Sequence, residues 1–310
     1  MREPERTTGT SDGVVAVNKA AGPTSHDVVD RARRALRVRR VGHLGTLDPT
    51  ARGVLVLVVG RATRLAPYAA AWLKTYEGVI RFDRATTTDD ATGETVEATE
   101  AWRGLAEAAV SQALAGFVGG YAQRPPAYSA LKVGGERAYR RARRGEAVTL
   151  APRRVAVRAV ELLEWAPPAA RFRAVVGAGT YLRSLARDAG AALGCAAHLA
   201  ALERTAVGPF TLADAVDPDA LSPADLRDAS VLVADLPRRE LDATERAAVV
   251  HGRPIAAGNG QRATGDGQRA TLRDSLTVAG NVVLFWRGEL VAVAEVSDGF
   301  LKPRAVLAAP

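Results

Sequence analysis

The chain reads as an α+β protein, one large domain of strands and helices followed by a small β-rich unit. Two hydrophobic patterns and the length predict this. Val54–Val59 is an unbroken apolar run of strand length, and Arg171–Val176 alternates polar and apolar residues, the marks of a buried and a half-buried strand. Val28, Ala32 and Leu36 repeat at helical spacing instead, as do Leu105, Ala109, Ala113 and Leu114 with Phe117. At 310 residues there is material for a large core and a second unit. The expected divisions are a disordered tail over 1–12, a main domain over 13–240 with a basic insertion near 121–150, and a C-terminal unit over 241–310.

Composition narrows the function. Apolar residues make up 47% and charged ones 25%, ordinary for a globular chain. Lys and Arg number 42 against 34 Asp and Glu, a formal charge of +8 and a sequence pI near 10.1. Such a surface favours a polyanion, nucleic acid first and an acidic membrane second. The single cysteine, Cys195, excludes an internal disulfide and makes a structural zinc site improbable. No apolar run reaches membrane-span length, and the polar start Met1–Gly13 lacks the apolar core of a signal peptide. A cytoplasmic protein is expected.

In chain order, Val14–Val17 reads as a short strand and Asn18-Lys19-Ala20-Ala21-Gly22-Pro23 as a turn. Thr24-Ser25-His26-Asp27 has the form of a capping box that opens the first helix. Six arginines fall between Arg31 and Arg40, either a solvated helix face or a surface for RNA. Val41 to Gly53 then reads Val-Gly-His-Leu-Gly-Thr-Leu-Asp-Pro-Thr-Ala-Arg-Gly. Pro49 pushes Asp48 out of the α region, and Gly42, Gly45 and Gly53 permit sharp turns around it. A surface turn is the plain reading of Asp-Pro-Thr; a carboxylate fixed beside a buried strand is the functional one.

Beyond Gly60-Arg61-Ala62-Thr63-Arg64-Leu65, the stretch Lys74-Thr75-Tyr76-Glu77-Gly78 leads into Ile80-Arg81-Phe82 and the polar turn Thr86–Gly93. Gln123 to Lys132 joins a stiff proline pair to aromatic and basic residues, which suits RNA contact. Arg137, Arg140, Arg141 and Arg144 line one face of a predicted helix that Gly145 ends. In Gly177 to Asp188, Thr180 is expected to cap a helix with Leu182, Leu185, Ala186 and Ala189 facing the core. Arg183 would then lie in the first turn on another face, able to reach a carboxylate.

Thr211–Glu240, rich in Asp, Ala and Pro, reads as a helical connector, and Leu241–Gly252 as a short helix. A small β unit follows, Asn281–Trp286 and Glu289–Val296 about a turn at Arg287-Gly288. A duplicated heptad, Gly260–Asp266 and Gly267–Arg273, precedes it and reads as a slipped repeat in a flexible loop.

Gly42-His43-Leu44-Gly45-Thr46-Leu47-Asp48-Pro49 with Gly53-Val54-Leu55 closely resembles the catalytic signature of the TruB family of tRNA pseudouridine synthases. Asn18, Lys19 and Gly22–Ser25, Gly60–Leu65, Lys74–Gly78, Gln123–Lys132, Gly177–Asp188 and Leu199–Phe210 resemble further stretches of the family. Ala178 and Glu203 depart from it, standing where Lys and Arg are usual. The resemblance implies a central mixed, largely antiparallel sheet flanked by helices, and a PUA-like C-terminal unit. It implies that Asp48 is the essential catalytic residue, that Tyr76 stacks on the target base and that Arg183 pairs with Asp48. Substrate contacts are expected from Lys19, His43, Arg64, Lys132, Arg137, Arg140, Arg141, Arg144, Tyr181 and Leu202. The implied activity isomerises uridine 55 in the T loop of tRNA after flipping it out of its stack. No metal or cofactor is implied, tRNA is the expected partner, and the protein is expected to be a monomer. Two rivals stand beside this reading: a synthase with another RNA target, and a non-catalytic RNA-folding chaperone.

Overall fold

The computed structural model describes residues 12–257 and 280–309. The expected N-terminal tail up to residue 11 and the duplicated heptad lie outside the described residues. The central sheet orders β1 (Gly13–Lys19), β3 (Arg52–Val59), β13 (His198–Val207), β4 (Lys74–Arg81), β12 (Ala169–Val176) and β11 (Val157–Ala166). Short strands β2 (Val41–His43) and β14 (Phe210–Thr211) add to β3 and β13. Only the β13–β3 pairing is parallel, so the sheet is mixed and largely antiparallel, as expected.

Helices cover one face of this sheet. α1 (Ser25–Leu36) buries Val28, Ala32 and Leu36 there, and its predicted capping box forms between Thr24 and Asp27. α3 (Glu107–Ala115) adds Val110 and Leu114, and α5 (Leu182–Ala192) adds Leu182, Leu185, Ala186 and Ala189. Thr180 does not cap α5: its hydroxyl donates to the Ala156 carbonyl at 3.3 Å, and Tyr181 takes the cap position without a side-chain bond. That carbonyl, between β10 and β11, outcompetes the helix amides for one hydroxyl.

On the opposite face β12 presents Arg171 and Arg173 to solvent, while β1 and β3 pack on the C-terminal part. Its five-stranded sheet orders β15 (Arg238–Glu240), β17 (Asn281–Trp286), β18 (Glu289–Ser297), β19 (Phe300–Val306) and β16 (Ile255–Ala256). Val283, Phe285, Val293 and Leu307 share one core with Val56 and Val58 of β3. α2 (Ala66–Ala69) and Leu232 lie in the same layer. α6 (Ala243–Val250) opens on a capping box of Asp242 and Glu245. The connector is not α-helical, contrary to expectation. It holds three short 3-10 turns, two of them boxed by Thr211–Asp214 and Ser222–Asp225. Side chains that satisfy the backbone every few residues offer it an alternative to a helix.

Two excursions leave the main sheet near one end. The hairpin β5–β6 (Arg84–Thr86, Thr95–Ala98) carries the turn with Asp89 and Asp90. The basic insertion rises from the pair β7–β10 (Tyr121–Gln123, Arg153–Val155). It contains the hairpin β8–β9 (Lys132–Val133, Glu136–Arg137), turned at Gly134 and Gly135 with positive φ at both, and α4 (Ala138–Arg143).

Candidate active site

The Asp48 loop joins β2 to β3, and buried side chains hold its backbone from three sides. Ser25, at the start of α1, donates its hydroxyl to the Leu47 carbonyl at 3.0 Å and accepts from the Leu47 amide at 2.8 Å. The Lys19 ammonium, fully buried, donates to the carbonyls of Asp48 (3.2 Å), Pro49 (3.3 Å) and Ala51 (2.6 Å). Arg204, also fully buried, donates to the carbonyls of Gly45 (3.0 Å) and Val54 (2.7 Å). Lys19 therefore supports the loop from beneath, fully buried against its backbone carbonyls. Burial lowers its pKa to about 8, against the opposing pull of Asp48.

Sheet register explains why these groups meet. Lys19 pairs with Gly53, Gly53 with Arg204, Arg204 with Tyr76 and Tyr76 with Ala174, a single row across five strands. Residues in one row point to one face. Gly53 has φ +105, and a Cβ there would stand 2.2 Å from the Arg204 carbonyl, so only glycine lets β3 and β13 approach at this point. The Arg204 guanidinium lies 6.0 Å from the centre of the Tyr76 ring, within cation–π range. Arg204 also lowers the pKa of Lys74 and of His43, in both cases after burial as the larger cause. His43 is therefore held neutral at pH 7, with its Nδ1 buried and without a protein partner among the described residues.

Arg183 reaches the loop from the first turn of α5. Its side chain is 6% exposed, against 38% for Asp48, and its Nε lies 2.8 Å from Asp48 Oδ2. That contact is a charge pairing without hydrogen-bond alignment, because the two Nη atoms are committed elsewhere. They donate to the carbonyls of Thr88 (3.1 Å) and Tyr128 (3.0 Å), tying the β5–β6 turn and the insertion to the site. Asp90 Oδ2 lies 3.8 Å from the same Nε, while its Oδ1 accepts from Thr88, from the Thr92 amide and from the Thr92 hydroxyl. A small cavity opens between Asp48, Thr50, Asp90, Arg183 and Leu202. Its chemistry is that of two carboxylates sharing one buried cation, one of them open to solvent.

The remaining expected contacts differ in exposure and in partners. Leu202 lines the cavity, whereas Tyr76, 7% exposed, is not among the lining residues and packs against Arg204. Tyr181 exchanges backbone hydrogen bonds with the side chain of Gln123, with the Arg153 guanidinium over its ring. Lys132, Arg137 and Arg140 are exposed on the insertion. Arg141 and Arg144 are not free, as a bare arginine stripe would have them: Glu146 pairs with both and Glu136 with Arg144. Those acids flank α4 in sequence and fold back onto it. Arg64, though exposed, donates to the Val306 carbonyl of β19, so it bridges the two sheets. Glu203 pairs with Arg52 at the rim. Sequence reasoning passed over Arg204 and Asp90, whose one signal was a charge inside a strand-like run and a second Asp in a polar turn.

Comparison with known proteins places this geometry. A model described as TruB family pseudouridylate synthase (N terminal domain) matches residues 33–182. One described as tRNA pseudouridylate synthase B C-terminal domain matches residues 183–245. A protein from Arthrobacter sp. (strain FB24) named tRNA pseudouridine synthase B is 42% identical over 310 residues, covering 96% of each chain. The chain belongs to the TruB family of pseudouridine synthases. A family relative of the same name from Thermobifida fusca (strain YX) is 48% identical over 256 residues, 79% of this chain and 87% of its own. Among solved structures, a chain from a Cbf5-Nop10-Gar1 complex superposes with a TM-score of 0.67 at 27% identity. The match covers 97% of this chain and 85% of that one. Among the described residues no group of three His, Cys, Asp or Glu side chains is arranged to hold a metal ion, and no helix is long and apolar enough to cross a membrane.

Proposed function

We propose that the protein isomerises uridine 55 in the T loop of tRNA to pseudouridine, acting as a monomer in the cytoplasm. The observation that carries this reading is the Asp48 carboxylate at the mouth of the cavity, 2.8 Å from a buried arginine whose two Nη atoms each donate to a backbone carbonyl. Arg183 orients the carboxylate and leaves most of its lone pairs open to a substrate.

The reaction breaks the N1–C1′ bond of uridine and forms a C5–C1′ bond; C5 gives up its hydrogen and N1 gains one. A base inside a stacked loop must first be flipped out. Leu202 and Thr50 wall the cavity that would receive it, and Tyr76 would close the far side of the base. Asp48 then acts on the flipped nucleotide while Arg183 holds its orientation, with no cofactor needed for a redox-neutral rearrangement. Lys19, Ser25 and Arg204 keep the loop in one shape, so the carboxylate needs no reorganisation on binding. His43, neutral, would contact the neighbourhood of the flipped nucleotide.

Release of tritium from tRNA labelled at C5 of uridine tests the reading. Wild-type protein should release it with equimolar pseudouridine at position 55. Asp48→Asn, nearly isosteric, should bind tRNA with near-normal affinity, melt within about 2 °C of wild type and form no detectable product. Substantial activity in Asp48→Asn would remove the carboxylate from the chemistry and leave RNA binding alone.

A further inference from the structure

The arginine run at the end of α1 divides into two classes. Arg31 pairs with Asp219, and Arg33 pairs with Asp30 and donates to the Val41 carbonyl. Arg34, Arg37, Arg39 and Arg40 are exposed, and no acidic partner meets them among the described residues. Four neighbouring cations without interleaved acids repel one another. The negative end of the α1 dipole offsets part of that, but only within the last turn and only until salt screens it. On α4, by contrast, Glu136 and Glu146 neutralise two of the four arginines internally.

Their placement is fixed by the same helix that supports the active loop. Ser25, at one end of α1, holds Leu47 next to Asp48. The helix runs 12 residues to Leu36, about 18 Å at 1.5 Å per residue. Arg37 caps its other end in the left-handed region at φ 54, which turns the chain so that Arg39 and Arg40 follow directly into β2. A polyanion that places one nucleotide in the cavity still has its flanking double helix to accommodate, with phosphates spaced along it.

We propose that Arg34, Arg37, Arg39 and Arg40 form a second phosphate-binding surface, one helix length from Asp48, that takes the backbone of the base-paired stem flanking the flipped uridine. This rests on the proposed function for the identity of the RNA. The surface contributes affinity and register, while the cavity performs the chemistry. Phosphate contacts position a nucleic acid without reading its sequence.

The test compares wild type with the combined variant Arg34→Gln, Arg37→Asn, Arg39→Gln and Arg40→Gln, Asn being chosen at 37 because it tolerates the left-handed region. Affinity for unmodified full-length tRNA transcript is measured against salt. Each phosphate neutralised contributes about 0.7–0.9 to the log–log slope, so the variant should be flatter by roughly 3. Its turnover at saturating tRNA should equal wild type, and its affinity for a hairpin with the same loop but a shortened stem should be unchanged. A second variant with Lys at all four positions should restore the slope, which guards against misfolding as the cause. A slope equal to wild type, or equal losses on tRNA and on the shortened hairpin, would overturn the proposal. Absence of pseudouridine with wild-type protein would instead overturn the proposed function, and the slope comparison would still report whether these arginines meet phosphate.

Discussion

At the scale of single residues, the site depends on where donors are committed. Arg183 spends its two Nη atoms on the carbonyls of Thr88 and Tyr128 and faces Asp48 with Nε. A lysine at 183 keeps one charge but has no planar fork to span two carbonyls and a carboxylate. Arg183→Lys should therefore retain tRNA affinity within about threefold while kcat falls by at least tenfold; wild-type kcat would show that the fork is immaterial. Lys19 supplies a pH dependence. Its pKa of about 8 lies below the ordinary lysine value of 10.5 because burial penalises the charge. The native state thus gives up this proton before the unfolded chain does, so its contribution to stability rises from pH 8 towards 10.5. Over the same window the loop loses one N–H donor, and single-turnover pseudouridine formation should decline with a midpoint near 8 while melting temperature does not drop with it. A rate flat to pH 9 would contradict the role assigned to Lys19. Asp48 and Arg183 were legible in the sequence because each lies in a local motif. Arg204 and Asp90 were not, because their partners arrive only through sheet register and a distant turn.

Secondary-structure elements were legible where hydrophobic period and capping agreed. The α1 box, the apolar run of β3 and the alternation of β12 all formed as read. The connector failed because Asp, Ser and Thr side chains capped each turn, two of them with a full box, before a helix could propagate, a competition that composition does not display. β19 went unread because Lys302, Pro303 and Arg304 interrupt its apolar pattern, although its pairing with β18 is almost complete. The arginine stripe shows the same limit, since Glu136 and Glu146 lie outside the helix they neutralise. Arg137 and Arg140 remain open to solvent and are not bound to those acids. Replacing Arg137 and Arg140 by Ala should lower the salt slope of tRNA binding by about 1.5–2. Replacing Arg141 and Arg144 should change it less, because each must first leave an acid to meet a phosphate. Equal effects of the two pairs would mean that the ion pairs dissolve when RNA binds.

For the whole molecule, the decisive feature is that β3, the strand that leaves the Asp48 loop, is buried on both faces. Helices α1, α3 and α5 cover the side of the central sheet carrying Lys19, Arg204 and Tyr76, and the C-terminal sheet covers the β1–β3 part of the other. Phe285 and Val293 from that sheet enter the same apolar layer as Val56 and Val58, the strand that ends the Asp48 loop. In the chain, a stretch rich in Asp, Ala and Pro separates the small terminal unit from the main strands, yet burial joins what the chain separates. Stability of the active loop should therefore depend on packing far from it in sequence. Phe285 is 8% exposed, and Phe285→Ala removes a large buried ring, a change that costs about 3–5 kcal/mol in comparable cores. If the two sheets share one cooperative core, calorimetry should show a single transition lowered by roughly 6–10 °C, with tritium release lost over the same temperatures. If they are independent, the variant should melt in two steps, and activity should persist through the first. The second outcome would confine the C-terminal sheet to an appended role and leave the loop to be held by Lys19, Ser25 and Arg204 alone.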